Sequence, residues 1–354
     1  MAPKKVLFFG VTGYVGGSVF TRLFLARDSD EEVTILVRAT EKAEKLKQYG
    51  VIPIVGDLGD GQLVEKLVSE AEVVINAADS WNIELTENIL RGLEKRYEET
   101  GIKPVYIHTT GTGALLNDTR GMALSDEIWD DADAQQMALI PPDAIHRQAD
   151  RAVINADEEG YCRVYIVMPS VIWGAPKTKL ITDGIQKPHS FLVPTIGKLA
   201  LDCGQVCVVG KGLNQWNHTE INETADLFAI LYDGVCSDPD GTRIGHGKNG
   251  YYIAENGEFN LMQVSVVMGE ALHALDPSKP ASVRSYTADE ELKYFTDIHV
   301  WGSNSRAVGN HSRSLGWEPK LTTDDFLRNI PSELELWLKD GMPSDSQTIQ
   351  INSK

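Results

Sequence analysis

Long apolar runs are missing from this chain of 354 residues, and so are clusters of basic residues. No stretch approaches the roughly 20 apolar residues that cross a bilayer, and Met1 is followed by no signal-peptide core. We therefore expect no membrane association and a cytoplasmic protein. The 33 Lys and Arg against 51 Asp and Glu leave a net charge of -18. Without a basic patch that could neutralise a phosphate backbone, nucleic acid is not an expected partner.

Cysteines are also few. Cys162, Cys203, Cys207 and Cys236 show neither CxxC spacing nor the density of a disulfide scaffold. No histidine or cysteine pair completes a zinc pattern near Cys203 and Cys207, so we predict reduced, packing cysteines and no metal site. What is present, with 42% hydrophobic and 24% charged residues, is the composition of a globular protein with a full core.

A strand, a glycine-rich turn and a helix are predicted at the amino terminus. Residues 5–9 form an apolar run, GVTGYVGG follows at 10–17, and the next residues are apolar at helical spacing. Gly10 suits a tight turn, Gly13 leaves room for a pyrophosphate, and Gly16 allows close packing of helix and strand. The helix amino terminus then faces the anion. The predicted dinucleotide-binding residues here are Gly10, Thr12, Gly13, Tyr14, Val15 and Gly16.

The second predicted strand, 32–37, ends at Arg38. An acid at this position would bind the free ribose hydroxyls of NAD, whereas an arginine favours the 2′-phosphate of NADP. We therefore expect NADP(H), with NAD(H) the less favoured cofactor, and Thr40 and Lys45 as further phosphate ligands. A solvated surface arginine is the alternative.

Strand and helix patterns continue to alternate as in a parallel sheet. Asp57 and Leu58 follow a third strand at 51–55 and are placed beside the adenine, and a fourth strand, 73–78, ends in Ala77 and Ala78, across which the cofactor can lie. Further strands are predicted at 105–109, 163–168, 205–209 and 251–254, and further helices at 84–97, 224–235, 261–275 and 324–338.

The predicted fold class is α/β, a doubly wound parallel-sheet Rossmann fold with a smaller carboxyl-terminal substrate lobe. We assign residues 1–175 to the Rossmann domain and 176–340 to the substrate lobe, whose elements return to the Rossmann sheet. Residues 341–354 are predicted to be a flexible tail.

With these motifs in order, and with HTTGTG at 108–113 and MPSVIWG at 168–174, the chain resembles the short-chain dehydrogenase/reductase superfamily. It is most similar to the extended and atypical branches, which include nucleotide-sugar epimerases and dihydroflavonol-type reductases. The resemblance is strong over residues 1–175 and weak beyond them. It implies that Pro169, Ser170 and Val171 meet the nicotinamide amide, although Met168 replaces the usual arginine before that proline.

The resemblance also implies a catalytic hydroxyl, a tyrosine and a lysine, of which only the hydroxyl, Thr110, is present. Pro142 and His146 stand where the tyrosine and the lysine are expected. A proline carries no acid, so another residue supplies the proton or no hydride chemistry occurs at a carbonyl. His146 is the substitute acid or cation that we favour, because histidine titrates near neutral pH. Lys177 and Asp79, which follow strand ends, are weaker candidates.

The sequence therefore predicts an NADP(H)-dependent oxidoreductase that acts on a carbonyl or alcohol of a small organic metabolite. Thr110 would hydrogen-bond the developing oxyanion, and His146 or water would complete proton transfer. Two alternatives stay open. One is a cofactor-bound isomerase, epimerase or lyase, and the other is a non-catalytic NADP sensor resembling the nitrogen-metabolite-repressor type, which lacks the same pair. The oligomeric state is also open, and a homodimer is compatible with the sequence.

Overall fold

The computed structural model describes residues 4–26, 30–295 and 300–340, so the predicted tail at 341–354 lies outside the described residues. Strands and helices alternate through the first half of the chain. The strands are, in chain order, β1 Lys5–Phe9, β2 Glu32–Val37, β3 Ile52–Val55, β4 Val73–Asn76, β5 Val105–Thr109, β6 Asn117–Asp118, β7 Trp129–Asp130, β8 Arg163–Pro169, β9 Val171–Trp173, β10 Cys207–Val208, β11 Gln215–Glu220, β12 Tyr251–Ala254, β13 Glu258–Asn260, β14 Arg284–Ser285, β15 Ser303–Asn304 and β16 Ala307–Val308.

The α-helices include a long carboxyl-terminal one that packs on the second half of the chain. In chain order they are α1 Tyr14–Phe20, α2 Thr40–Leu46, α3 Gly61–Ser69, α4 Ile83–Thr100, α5 Ala134–Ala138, α6 Arg147–Glu159, α7 Lys179–Thr182, α8 Leu192–Cys203, α9 Ile221–Cys236, α10 Leu261–Leu275, α11 Ala288–Tyr294, α12 Asn310–Ser314 and α13 Thr323–Asp340. A π-helical turn, Thr21–Leu25, continues α1 directly. In the described ranges, every helix is too short or too polar to cross a bilayer.

Seven strands form one parallel sheet in the order β12-β8-β5-β4-β1-β2-β3. The chain runs outward from β1 to β3 and then returns to β4 on the other side of β1. The carboxyl ends of β1 and β4 therefore flank the crevice in which open α/β sheets bind their ligands. The predicted parallel-sheet Rossmann fold is confirmed.

Both faces of the sheet are buried. Val6 and Phe8 of β1 belong to a core that includes side chains of α1 and α9, whereas Leu7 and Phe9 belong to a core with α3, α4 and α6. Because neighbouring residues of a strand face opposite sides, a strand covered on both faces is apolar throughout. This explains the continuous apolar run at 5–9.

A third core joins the segments that follow the Rossmann elements. Helices α8, α10 and α13 pack there around Trp173 of β9 and Phe259 of β13. A three-stranded sheet of order β13-β11-β9 lies beside these helices. One strand from the later part of the chain, β12, joins the edge of the central sheet by pairing with β8.

Several predicted boundaries are confirmed, and others are corrected. The strands at 32–37, 105–109 and 251–254 and the helix at 261–275 have the predicted bounds. The fourth strand stops at Asn76 because its side-chain Oδ1 accepts a hydrogen bond from the Ala78 N–H, 3.0 Å away, and turns the chain. The interval 205–209 contains only the two-residue strand β10, and α8 and the strands β9 and β11 had no counterpart in the sequence prediction.

Candidate functional site

The glycine turn between β1 and α1 is closed by backbone packing at two of its glycines. Gly10 has a φ of +96°, and a Cβ atom on it would lie 2.4 Å from the Ala77 carbonyl oxygen. A Cβ atom on Gly16 would lie 2.1 Å from the Gly10 carbonyl oxygen. Neither position can hold a side chain without displacement of backbone. The turn is thereby held against Ala77 and Ala78 at the end of β4.

Gly13 differs from its neighbours because protein packing does not demand a glycine there. A Cβ atom on Gly13 would have one neighbour within 4 Å, the Gly10 carbonyl oxygen at 3.2 Å. Gly13 is the N-cap of α1, and no side chain caps that helix end. The first N–H groups of a helix have no partner within the helix, so those of Tyr14, Val15 and Gly16 are available to an anion in front of Gly13.

The side chain of Tyr14 lies away from the turn. Its hydroxyl donates a hydrogen bond to the Gly174 carbonyl oxygen, 2.7 Å away. Burial raises the pKa of Tyr14 well above its ordinary value, and the nearby carboxyl groups of Glu333 and Glu220 raise it further. Tyr14 therefore offers the turn its backbone amide only. On the other side of the turn, the Thr12 carbonyl oxygen accepts a hydrogen bond from the Lys187 N–H at 3.0 Å.

Basic residues gather where β2 ends. Arg38 is exposed and pairs with no acid in the described part of the chain. Lys42 of α2 donates a hydrogen bond to the Ile185 carbonyl oxygen at 2.7 Å. Burial lowers the pKa of Lys42, and the positive charges of Lys187, Lys45 and Arg38 lower it further, so these four side chains share one region. We call Arg38, Lys42, Lys45 and Lys187 the basic cluster.

The basic cluster contains two residues that sequence reasoning missed. Lys42 lies one residue beyond the acidic Glu41 in a charged stretch, where no pattern distinguishes it from its neighbours. Lys187 follows α7, and only the tertiary fold brings it beside Thr12. Lys45 was expected near the phosphate, and here it also forms an ion pair with Glu41 at 2.8 Å.

The residues predicted beside the adenine lie at the end of β3. Asp57 is exposed, and its Oδ1 accepts a hydrogen bond from the Gly59 N–H at 2.8 Å. Leu58 packs partly buried against the core that contains Phe9. Ala77 and Ala78 are half-buried, as is suitable for residues that line an open crevice.

The segment predicted to meet the nicotinamide is fixed by hydrogen bonds to neighbouring strands. Pro169 ends β8, and the Ser170 hydroxyl and N–H both donate to the Ala254 carbonyl oxygen, at 2.8 and 3.0 Å. Val171 begins β9 and pairs with His218 of β11. The Ser170 side chain is thus engaged with the protein, and the backbone of this segment is what remains for a ligand.

Thr110 follows β5 at the same edge of the sheet and is buried. Its N–H donates to the Val167 carbonyl oxygen at 2.9 Å, which holds the residue against β8. Its hydroxyl donates to Oδ2 of Asp150 on α6, 3.1 Å away. The Thr110 hydroxyl is therefore bonded to a buried carboxyl group and not to local backbone.

His146 immediately precedes α6 and has a φ of +66°, a conformation that few residues other than glycine adopt. Its Nδ1 lies 3.3 Å from the Ser80 hydroxyl oxygen, and its Nε2 lies 3.3 Å from the position of a Cβ atom on Gly111. Gly111 follows Thr110, so the ring lies beside the end of β5. Nδ1 also lies 3.5 Å from the Ser80 carbonyl oxygen, which can only accept. A proton on Nδ1 satisfies that carbonyl, whereas a proton on Nε2 leaves Nδ1 to accept from the Ser80 hydroxyl.

The expectation that His146 titrates near neutral pH needs correction. Burial lowers its pKa, and the nearby Asp150 carboxyl group offsets this only in part. The ring is therefore neutral at pH 7, which suits a hydrogen-bond donor and not a resident cation. The helix that would carry the tyrosine begins only at Arg147, because Pro141 and Pro142 precede it and cannot donate helical hydrogen bonds.

The structure separates the two weaker candidates: Lys177 lies apart from this group, whereas Asp79 precedes Ser80 and Trp81, which contact His146, and its charge raises the pKa of His146. Lys177 is exposed in the loop before α7, and no hydrogen bond or ion pair of the described residues links it to Thr110 or His146. Asp79 is also exposed, and its Oδ1 accepts a hydrogen bond from the Trp81 N–H at 3.3 Å.

Beneath Thr110 lies a buried polar network that sequence reasoning missed. Asp150 Oδ1 faces His108 Nε2 at 3.5 Å, and both side chains are fully buried. His108 Nδ1 lies 3.0 Å from the Tyr106 hydroxyl, which accepts from the Asn76 side-chain amide at 3.3 Å. The sequence contains one indication of this network: polar side chains occur within the apolar strand patterns VVIN and VYIHT.

Comparison with known proteins agrees with this geometry. The model of the NmrA-like family matches residues 2–94. The protein named oxidase ucsJ, from an Acremonium species, is 26% identical over 332 residues, which are 89% of this chain and 93% of that protein. A ketoreductase of Stigmatella aurantiaca, named for a farnesyl dihydroquinoline oxide substrate, is 27% identical over 179 residues, 49% of this chain and 51% of its own.

Among solved structures, UDP-glucuronic acid 4-epimerase from Bacillus cereus, in complex with UDP-glucuronic acid and NAD, superposes with a TM-score of 0.61. The match covers 94% of this chain and 99% of that chain at 14% identity. The similarity therefore extends over the Rossmann elements and the later segments alike, and at this identity it is a similarity of fold.

Proposed function

The chain has the Rossmann fold of the extended short-chain dehydrogenases/reductases, and from this we propose that it is an NADP(H)-dependent oxidoreductase acting on a carbonyl or alcohol of a small organic molecule. The cofactor pyrophosphate is assigned to the space in front of Gly13, at the amino terminus of α1. In this proposal Asp57 and Leu58 would hold the adenine, and the backbone of Pro169 and Val171 would meet the nicotinamide.

The basic cluster is the observation that carries the choice of NADP(H). In a protein with a net charge of -18, four basic side chains at the end of β2 form a local site for an anion. A 2′-phosphate is the group that distinguishes NADP from NAD at this strand end. Arg38 binds it with a planar pair of donors, and the lysines add positive charge.

Thr110 and His146 are assigned to the reacting oxygen. Bound NADPH supplies the hydride that reduces the carbonyl carbon. Thr110 precedes Gly111 and His146 Nε2 lies beside it, so both are assigned to one substrate oxygen there. The Thr110 hydroxyl donates to that oxygen when it does not donate to Asp150. A neutral histidine can act as such a donor, because it polarises the carbonyl without bringing a charge into the site.

A second candidate is a non-catalytic NADP sensor. The match of residues 2–94 to the NmrA-like family and the absence of a Tyr-Lys pair both favour it. The sensor and the enzyme share the cofactor site, so only turnover separates them.

The test has a binding and a turnover measurement. NADPH and NADH are titrated into the purified chain, and NADPH oxidation is then followed with a panel of aldehydes and ketones. The oxidoreductase predicts tighter NADPH binding and carbonyl-dependent oxidation. Tight NADPH binding with no turnover in either direction supports the sensor. Conversion of a substrate without net NADPH consumption supports an isomerase, epimerase or lyase.

A further inference from the structure

We propose that Asp150, paired with His108, holds the exchangeable proton of this reaction and that the Thr110 hydroxyl carries it between Asp150 and the substrate oxygen. The proposal rests on the proposed oxidoreductase function. It answers the question left by Pro142, which occupies the position of the expected tyrosine acid.

Asp150 is a buried carboxyl group with no lysine or arginine bonded to it in the described residues. It has no exposed surface. Arg147, on the same helix, donates instead to the Tyr251 hydroxyl at 3.1 Å and the Ala138 carbonyl oxygen at 3.3 Å. Burial of an unpaired carboxylate is costly. Asp150 lies in the first turn of α6, where the helix amino terminus favours a negative charge, so its carboxyl group is held by that helix end, by Thr110 and by His108, and by no lysine or arginine of the described residues.

Asp150 and His108 face each other through one side-chain atom each. Asp150 Oδ1 and His108 Nε2 are 3.5 Å apart, and neither has another hydrogen-bond partner in the described residues. An acid and a base that face each other in this way can share one proton. Each such unsatisfied buried pair in a folded protein calls for an explanation, and proton exchange with Thr110 provides one.

The hydrogen bonds behind this pair have a defined donor-to-acceptor direction. The Ala78 N–H donates to Asn76 Oδ1, and the Asn76 amide donates to the Tyr106 hydroxyl oxygen. The Tyr106 hydroxyl is then free to donate to His108 Nδ1, which directs the Nε2–H toward Asp150. The Thr110 hydroxyl points to the other oxygen of the same carboxyl group. In this arrangement Asp150 accepts from both His108 and Thr110 and is the carboxylate, the form that takes up the proton in alcohol oxidation. When Asp150 carries the proton, its Oδ2–H donates to Thr110 Oγ1 instead, and the Thr110 hydroxyl is free to donate to the substrate oxygen.

Reduction transfers one hydride and one proton to the carbonyl group. The hydride adds to the carbonyl carbon, and the π electron pair moves to the oxygen. Thr110 gives its hydroxyl proton to that oxygen, and Asp150 gives its proton to Thr110 Oγ1, so that an alcohol and the Asp150 carboxylate result. His108 Nε2–H stabilises the carboxylate until a proton from water restores the pair after product release. Alcohol oxidation is the same sequence in reverse.

Other titratable groups face Asp150 as well, but they do not serve this role. Burial raises the pKa of Tyr106 and of Tyr251 far above the ordinary value, and the Asp150 charge adds to both shifts. Both tyrosines therefore keep their protons during turnover. His146 also faces Asp150, but burial lowers its pKa and leaves it neutral. Arg147 remains a cation bonded to Tyr251.

The chain contains a matched control for this test. Asp157 lies on α6 two turns beyond Asp150, is half-buried, and also pairs with a histidine, His246, at 2.7 Å. That pair lies beside Val164, to whose N–H it is bonded, and not beside Thr110. Asp150→Asn and Asp157→Asn thus make the same chemical change at two Asp-His pairs, of which one adjoins the proposed site.

The experiment compares the two variants with the parent by NADPH binding, carbonyl KM, and kcat across about pH 5 to 9. Asp150→Asn keeps an acceptor for the Thr110 hydroxyl but cannot release a proton. We expect kcat to fall about 100-fold or more and to lose its pH dependence, while NADPH binding and KM stay near parental values. Asp157→Asn should leave kcat and its pH profile unchanged. Thr110→Ser should retain activity and Thr110→Val should lose it.

The possible failures are distinguishable. If the parent reduces a carbonyl and folded Asp150→Asn reduces it at the parental rate and with the parental pH profile, this inference is wrong and the proposed function stands. If Asp157→Asn is as slow as Asp150→Asn, the effect is structural and the inference is again wrong. If the parent binds NADPH but turns over no carbonyl or alcohol, both the proposed function and this inference fall.

Discussion

The imidazole ring of His146 lies against the indole ring of Trp81, with ring centroids 4.3 Å apart and ring planes at 57°. Trp81 is itself 52% exposed, so the indole covers the histidine at the outer edge of the site. Burial of this kind lowers the pKa of His146. The ring is thereby kept neutral, with Nε2 turned toward Gly111.

Replacement of His146 should reduce turnover more than cofactor binding. Asparagine is the appropriate substitution, because it tolerates the φ of +66° better than alanine does and removes the ring. We expect His146→Asn to lower kcat by about tenfold to 100-fold through loss of a hydrogen-bond donor at the reacting oxygen. NADPH oxidation with an active carbonyl substrate measures this, and the unfolding temperature serves as the control. Parental kcat in the variant would show that Nε2 does not touch the substrate.

Arg38→Asp should weaken NADPH binding about tenfold to 100-fold, because a charge-assisted contact with the 2′-phosphate contributes about 1.5 to 3 kcal/mol. NADH binding should change little. Lys47→Asp serves as the control because it makes the same change of charge outside the basic cluster, where Lys47 is paired with Glu44. Calorimetric titration of both cofactors measures the effect. Equal affinities of the parent for NADPH and NADH would contradict the assignment.

Gly13→Val should abolish cofactor binding and leave the fold nearly intact. The protein offers one close neighbour to a Cβ atom there, at 3.2 Å, whereas the side chain would occupy the proposed pyrophosphate space. Gly16→Ala should instead destabilise the protein, because its Cβ atom would lie 2.1 Å from a backbone oxygen. Unfolding temperatures and NADPH titrations of both variants test the contrast. Retained micromolar NADPH binding by Gly13→Val would show that this glycine serves packing alone.

His218 should make the free energy of unfolding depend on pH. It is fully buried among Trp173 and Phe326, and burial lowers its pKa from 6.5 to about 4. The unfolded chain therefore takes up a proton as the pH falls below about 6.5, while the folded chain does not do so until about pH 4. The shift therefore leaves the free energy of unfolding unchanged above about pH 6.5 and lowers it by about 3 kcal/mol as the pH falls to about 4, because protonation favours the unfolded state in that interval.

The measurement is the free energy of unfolding by urea between about pH 7 and pH 4 for the parent and for His218→Gln. Glutamine can still accept from the Trp173 Nε1–H, which donates to His218 Nδ1 at 3.1 Å. We expect the variant to have a lower free energy of unfolding at neutral pH than the parent. We also expect that free energy to fall less than in the parent as the pH is lowered. An identical slope in both proteins would mean that other groups cause the acid sensitivity.

Local patterns were sufficient to predict the central sheet and the glycine turn at its edge. Apolar runs at 32–37 and 105–109 gave strands with the observed bounds, and the glycine turn at 10–17 was placed correctly between β1 and α1. These elements are predictable because a strand buried on both faces is apolar at every residue, and because a tight turn leaves room only for glycine at Gly10. Helix α8 was missed because Pro194 and Gly197 interrupt its pattern, and strand β11 was missed because its buried residues, 217–220, are polar.

By itself, the sequence determined that this is a Rossmann protein with an arginine at the end of its second strand and a proline where the related enzymes have a tyrosine. Only the tertiary structure decided which side chains meet, since Lys187 reaches Thr12, and His108 and Asp150 meet beneath Thr110, through packing of elements distant in the chain. It also decided that His146 is neutral, because the pKa of a side chain depends on its burial and its charged neighbours. Local pattern specifies backbone elements, whereas burial and charge contacts arise only when those elements pack.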